Sequence, residues 1–229
     1  MEKKPVSLLF LALSVLLMAC LGTTGQEADP DDLFFDYKIW GEEGNDSVTV
    51  MLFFREEGPT GPTVRIEEPG FAELDGERLQ PDSNSMTGVF YTVRKEVNQF
   101  TGKHHILYTD INKKTYREDF DFRPFTLKEP FSDTLRRARL ILRLDGLDKM
   151  DFVRVLLSDT SYPGDAIERL DTIWNNQLII SKSALSYLNS GPVFLELSKE
   201  VEWPVKKGTR AGGLVSVTYT LRRELFLVD

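Results

Sequence analysis

The chain is poor in reactive and metal-ligating side chains. It has one cysteine, Cys20, and two histidines, adjacent at His104 and His105. A lone cysteine excludes an intrachain disulfide and any cysteine-rich zinc site, so stability has to come from apolar cores. Positive charge is also scarce: 28 lysines and arginines face 36 aspartates and glutamates, a formal charge of −8. That balance disfavours nucleic acid as a partner. After Met18 no apolar run approaches the roughly 20 residues of a membrane span, and after Cys20 no helical periodicity extends beyond two turns. What is plentiful is core material, 41% hydrophobic with 15 phenylalanines among 229 residues, enough for one large domain or two ordinary ones.

The scarce groups do not assemble into known chemistry. Neighbouring residues of a strand point to opposite faces, so His104 and His105 would meet one metal only from a turn after Gly102. No G-x-S-x-G elbow accompanies them. Asp119 and Asp121 share a strand face, and Glu67 and Glu68 precede Pro69, but nothing separates these carboxylates from an ordinary solvated surface. The Asp145, Asp148, Asp151 turn and the Asp159–Asp165 loop lack the D-x-D-x-D-G calcium spacing. No catalytic residue, metal or cofactor is expected.

The N-terminus carries the clearest signal. Lys3 and Lys4 precede an apolar run from Val6 to Met18, which ends in Leu17-Met18-Ala19-Cys20. A basic start, a short apolar core and a small residue at the cut make a secretory signal peptide over residues 1–19. The tetrapeptide resembles the lipobox of bacterial lipoproteins. That resemblance implies cleavage before Cys20, acylation of its sulfur, and a membrane partner through the lipid. Two or three acyl chains make such an anchor effectively permanent. Residues 20–32, the lipidated cysteine and an acidic stretch with no apolar periodicity, are expected to form a disordered tether. Glu27, Asp29, Asp31 and Asp32 resemble the surface-export signal of Bacteroidota-type lipoproteins. Leu21 leaves no inner-membrane retention aspartate, which favours the outer membrane, on its periplasmic face or at the cell surface.

Beyond Phe34 the pattern is that of strands. Val48, Val50, Leu52 and Phe54 alternate along one run. Thr63–Ile66 is a shorter candidate. Asp75-Gly76 marks a two-residue hairpin, and strands are expected at Val89–Val93, His105–Thr109 and Thr115–Phe122. The proline-bearing stretch Phe122–Asp133 breaks the alternation. A second series follows from Leu135–Leu144 through Phe152–Leu157, Leu178–Ile180, Pro192–Val201, Gly213–Leu221 and Glu224–Val228, with a helical turn over 182–187 capped by Ser181. About seven short strands in each half predict an all-β chain of two tandem immunoglobulin-like β-sandwich domains, 33–126 and 127–229. One long sandwich or barrel is the rival arrangement.

The chain as a whole resembles tandem Ig-like lipoproteins of Bacteroidota-type bacteria, in L-D-G-E-R-L at Leu74–Leu79, F-T-G-K-H at Phe100–His104 and K-K-G-T-R-A-G-G at Lys206–Gly213. The resemblance implies no catalytic residue; Cys20 alone carries a role over. With no activity to carry over, the leading expectation is a non-enzymatic, membrane-anchored envelope protein that binds another envelope protein or has a structural role, and the alternative is a glycan-binding module serving polysaccharide uptake. Candidate contacts are Trp203, beside Pro204 and able to stack on a sugar or meet a partner, and Lys206, Lys207 and Arg210. These three cations lie in a glycine-rich stretch read as a long hairpin loop or as a cradle for an anion.

Overall fold

The computed structural model describes residues 29–128 and 132–229. The chain is all-β, as its alternation predicts. Eight strands lie before the proline-bearing stretch: β1 (Phe34–Glu42), β2 (Ser47–Arg55), β3 (Phe71–Leu74), β4 (Glu77–Arg78), β5 (Pro81–Asn84), β6 (Gly88–Glu96), β7 (Gly102–Thr109) and β8 (Thr115–Phe122). The rest are β9 (Thr126–Leu127), β10 (Thr134–Arg136), β11 (Leu140–Asp145), β12 (Phe152–Asp159), β13 (Ala166–Thr172), β14 (Gln177–Ile180), β15 (Gly191–Thr209) and β16 (Gly212–Val228). Short helical turns cover Pro30–Asp32, Val97–Phe100 and Lys182–Leu185.

One nine-stranded sheet runs through the molecule in the order β13-β12-β15-β16-β1-β2-β6-β5, with β10 on the end of β16. Two smaller sheets supply the facing layers, β4-β3-β7-β8 and β14-β11-β9. The segments 33–126 and 127–229 are therefore joined by more than a linker. Ser198–Val193 of β15 pair with Arg154–Asp159 of β12, whereas Gly213–Thr220 of β16 pair in parallel with Phe35–Glu42 of β1. The β15–β16 hairpin lies within the long sheet and links its two halves, and its 19-residue arm reaches about 60 Å at the rise of a strand.

Alternation explains the hairpin's length. Val193, Leu195 and Leu197 are buried, and Trp203 and Val205 continue the same phase farther along, partly buried. Lys199 interrupts them. It lies at the waist between the two sandwiches, paired with Asp151 and opposite Tyr219, and Tyr219 packs edge-on against Phe122 and Phe125 at 6.0 and 5.6 Å. In the first sandwich the core is aromatic: Phe35, fully buried, touches Tyr37, Phe54, Tyr108 and Tyr116. Burial pushes the Tyr37 and Tyr108 hydroxyls well above the usual phenol range.

Local signals hold where the physics is local. Asp75 and Gly76 take φ of 51° and 84°, the left-handed pair a two-residue hairpin needs. Ser181 accepts from the Ala184 amide at 3.1 Å, capping the turn over 182–185. Others shift. Thr63–Ile66 contributes only a bridge from Thr63 to Arg55. The 135–144 run divides into β10, which pairs with β16, and β11, which lies between β14 and β9.

Asp159 pins the far end of the second sandwich. Its carboxylate accepts from the Asn189 amide at 2.9 Å, the Ser161 hydroxyl, and the Asp165 and Ser161 amides. These donors hold its carboxyl well below the usual 3.8. The folded form thus keeps a charge that the unfolded chain loses first, so this contribution is full above pH 4 and fades as pH falls through the acid range. An Asp159→Ala variant is expected to be less stable than the parent at pH 7 and to approach it at pH 3, as read by urea unfolding at both values.

Candidate functional site

The two sheets of the first sandwich leave one side open. Among the described residues β8 pairs with β7 alone, and β15 pairs with no strand beyond Ser198 on the side away from β16. The facing edges are tied by a side chain. Along T-Y-R-E-D-F-D-F the even positions turn inward, so Glu118 follows Tyr116 into the interior and is 2% exposed. Its Oε1 accepts from the Trp203 indole N–H at 2.8 Å, and its Oε2 accepts from the Lys206 amide at 2.9 Å. Burying a carboxylate is costly unless donors satisfy it, and here the donors come from the opposite edge. An inward charge and Pro204, which has no N–H to offer, also suit an edge that must not pair indiscriminately.

Outside this tie lies a cleft of about 780 Å³, lined by Lys103, His104, His105, Arg117, Asp119, Phe120, Trp203, Pro204 and Lys206. A notch of about 270 Å³ adjoins it, floored by Phe122, Val201, Val217 and Tyr219. Trp203 is common to both. Val201 is 44% exposed although it points in the core phase of β15, because β8 has ended and β9 has not begun over it. On the rim Arg117 pairs with Asp119, Arg123 with Asp121 and Asp148, and Lys199 with Asp151. Hydrogen bonds from Arg117 hold the Asp119 carboxyl below its usual range. Lys103 and Lys206 have no ion-pair partner among the described residues.

The histidines serve structure. His104 Nε2 donates to the Phe100 carbonyl at 2.7 Å and Nδ1 lies 2.7 Å from Asp75 Oδ2, while its ring stacks on Phe100. Both ring nitrogens are engaged by oxygens, and the His105 amide donates to the same Asp75 carboxylate. Among the described residues no three His, Cys, Asp or Glu side chains are grouped to hold a metal ion.

The candidate contacts separate into two places. Trp203 and Lys206 reach the cleft, Trp203 as a half-buried wall whose N–H is committed to Glu118. Lys207 and Arg210 do not line it. β15 runs on to Thr209, so the stretch read as a long loop is a tight turn at Arg210-Ala211, and Gly212 supplies its positive φ of 77°. Gly213 then passes so close to β1 that a Cβ there would sit 2.6 Å from the Phe35 carbonyl oxygen. Arg210 is no anion cradle. It forks onto Asp32 at 2.8 Å and Asp29 at 3.1 Å, and Lys114 and the Tyr116 hydroxyl hold Asp31. Residues 29–32, expected to belong to a disordered tether, are thereby ordered against the hairpin tip, because their carboxylates find fixed cations. Cys20 and residues 1–28 lie outside the described residues. Of the other tryptophans, Trp174 is 57% exposed with Lys149 over its ring, and Trp40 is 39% exposed on the outer sheet face.

Sequence reasoning missed Glu118 and Val201. The one available signal was the charge at an inward position of T-Y-R-E-D-F-D-F, where the period demands an apolar residue.

No protein-family model matches the chain, and no characterised protein matches it in sequence. Among solved structures it is similar to DIP-gamma IG1+IG2, with 8% identity and a TM-score of 0.24 over 86% of this chain and 95% of that one. It is also similar to a bacterial ice-binding adhesin concerned with host cell surface retention, with 12% identity and a TM-score of 0.25 over 87% and 66% of the two chains. Overlap at this level transfers no role.

Proposed function

We propose that the protein is a lipid-anchored, non-enzymatic component of a bacterial cell envelope, held on the outer membrane through Cys20, and that it binds another envelope protein. The observation that carries the reading is the open cleft between β8 and β15, where an aromatic wall and an apolar notch sit beside two lysines that form no ion pair among the described residues. Apolar surface with a few placed polar groups is the composition of a recognition site. The anchor fits the same picture. Asp29 lies nine positions after Cys20, roughly 30 Å when extended, so the Arg210 clasp would keep the hairpin tip towards the membrane and leave the second sandwich distal.

Two measurements test this. Cys20→Ala is expected to abolish incorporation of labelled palmitate and to move the protein from the membrane to the soluble fraction; retention of both sinks the anchor. Chemical cross-linking in intact envelopes is expected to yield a stoichiometric protein partner, and its absence counts against the binding role. A glycan array that lights up in its place would favour the sugar-binding alternative.

A further inference from the structure

We infer that the β8–β15 cleft takes an extended peptide segment of the partner, added alongside β15, with an apolar side chain in the Val201 notch and a neighbouring carboxylate on Lys103 and Lys206. This rests on the protein-binding reading above and specifies its ligand.

The backbone points to a strand. The Thr160 amide donates to the Pro192 carbonyl at 3.2 Å, so even-numbered residues of β15 present their backbone groups to the side occupied by β12. At the other end the Lys206 amide faces the same way, towards Glu118. Register with β16 is unbroken through Pro204, so Glu200, Glu202 and Pro204 face that side too, with no strand opposite them. An incoming chain would continue the track that β12 leaves at Arg154. It would be limited at its upper end, where Pro204 lacks an N–H and the Lys206 amide is already spent. Main-chain bonds of this kind give affinity and side-chain pockets give specificity.

The side-chain pockets define the sequence to be recognised. At about 270 Å³ the notch holds one apolar side chain, and Val201, Val217 and Trp203 offer it a hydrocarbon surface. The charged groups on the rim supply the second element. Arg117, Arg123 and Lys199 pair with acids in place, whereas Lys103 and Lys206 form no ion pair among the described residues, so a carboxylate is the group that completes the rim.

Random peptides displayed on phage, panned on the full chain in detergent, test the assignment. Enriched sequences are expected to carry an apolar residue near an aspartate or glutamate, and synthetic copies should lose affinity at least about tenfold with Val201→Glu or Lys206→Glu. Both positions are solvent-accessible, so the variants should melt with the parent, and Trp174→Ala, outside the cleft, should bind normally. Equal enrichment on the parent and on Val201→Glu overturns the assignment, as does binding of polygalacturonate where no peptide binds. The envelope cross-link separates the two readings. A partner captured equally by the parent and Val201→Glu overturns the cleft and spares the protein-binding role, whereas no partner and no enriched peptide overturns both.

Discussion

Glu118→Ala is expected to destabilise the protein by about 2–6 kcal/mol, because it removes the acceptor of two hydrogen bonds to a charged group at about 1–3 kcal/mol each. Those donors, the Trp203 indole and the Lys206 amide, have no other partner among the described residues and lie on an edge that no ladder ties to β8. For a chain of this size the loss corresponds to a fall in Tm of about 10 °C. Glu118→Gln keeps one acceptor and should cost less. The local readout is Trp203 fluorescence, which should shift to the red in the alanine variant as water reaches the indole. Asp119→Ala, one residue away but exposed, should change stability by no more than about 0.5 kcal/mol. An alanine variant at 118 as stable as the parent would mean that Glu118 is no tie between the sheets.

Phe35→Ala should be comparably severe, about 3–5 kcal/mol, the usual cost of deleting a buried aromatic ring and leaving a void. Phe35 is completely buried and has four aromatic neighbours with centroids 5.3–5.6 Å away. Its strand is also the only link between β16 and β2 in the long sheet, so a cavity here loosens the joint between the first and last strands. Urea unfolding followed by far-ultraviolet circular dichroism measures the loss. A cost under about 1 kcal/mol would show that the aromatic cluster repacks around the vacancy, against the rigidity expected of a close-packed interior.

Both effects concern contacts between residues far apart in sequence, and this is where the sequence is least legible. The Val48-to-Phe54 alternation, the Asp75-Gly76 turn and the Ser181 cap depend on groups within a few residues of one another, and the structure contains all three. The break in alternation after Phe122 was legible, but not the β15–β16 hairpin that pairs with strands from both sides of it, since a strand's pattern states which face it buries and not which strand it pairs with. The site followed the same rule. Trp203 and Lys206 drew notice as an aromatic and a cation in an unusual stretch. Glu118, 85 and 88 residues away from them, read as one more acid in an acidic protein. Arg210 read as a free cation because its partners, Asp29 and Asp32, sit at the opposite end of the chain.

The amino acids on their own determined the all-β class and the absence of an intrachain disulfide, since the first follows from a period of two and the second from a single cysteine. Tertiary structure alone decided that β1 lies parallel to β16, that an inward glutamate ties two edges, and that Val201 lacks cover. Those outcomes depend on which surfaces meet when distant segments collapse together. That choice is made by the summed free energy of the packed chain, and no short stretch of it carries the information.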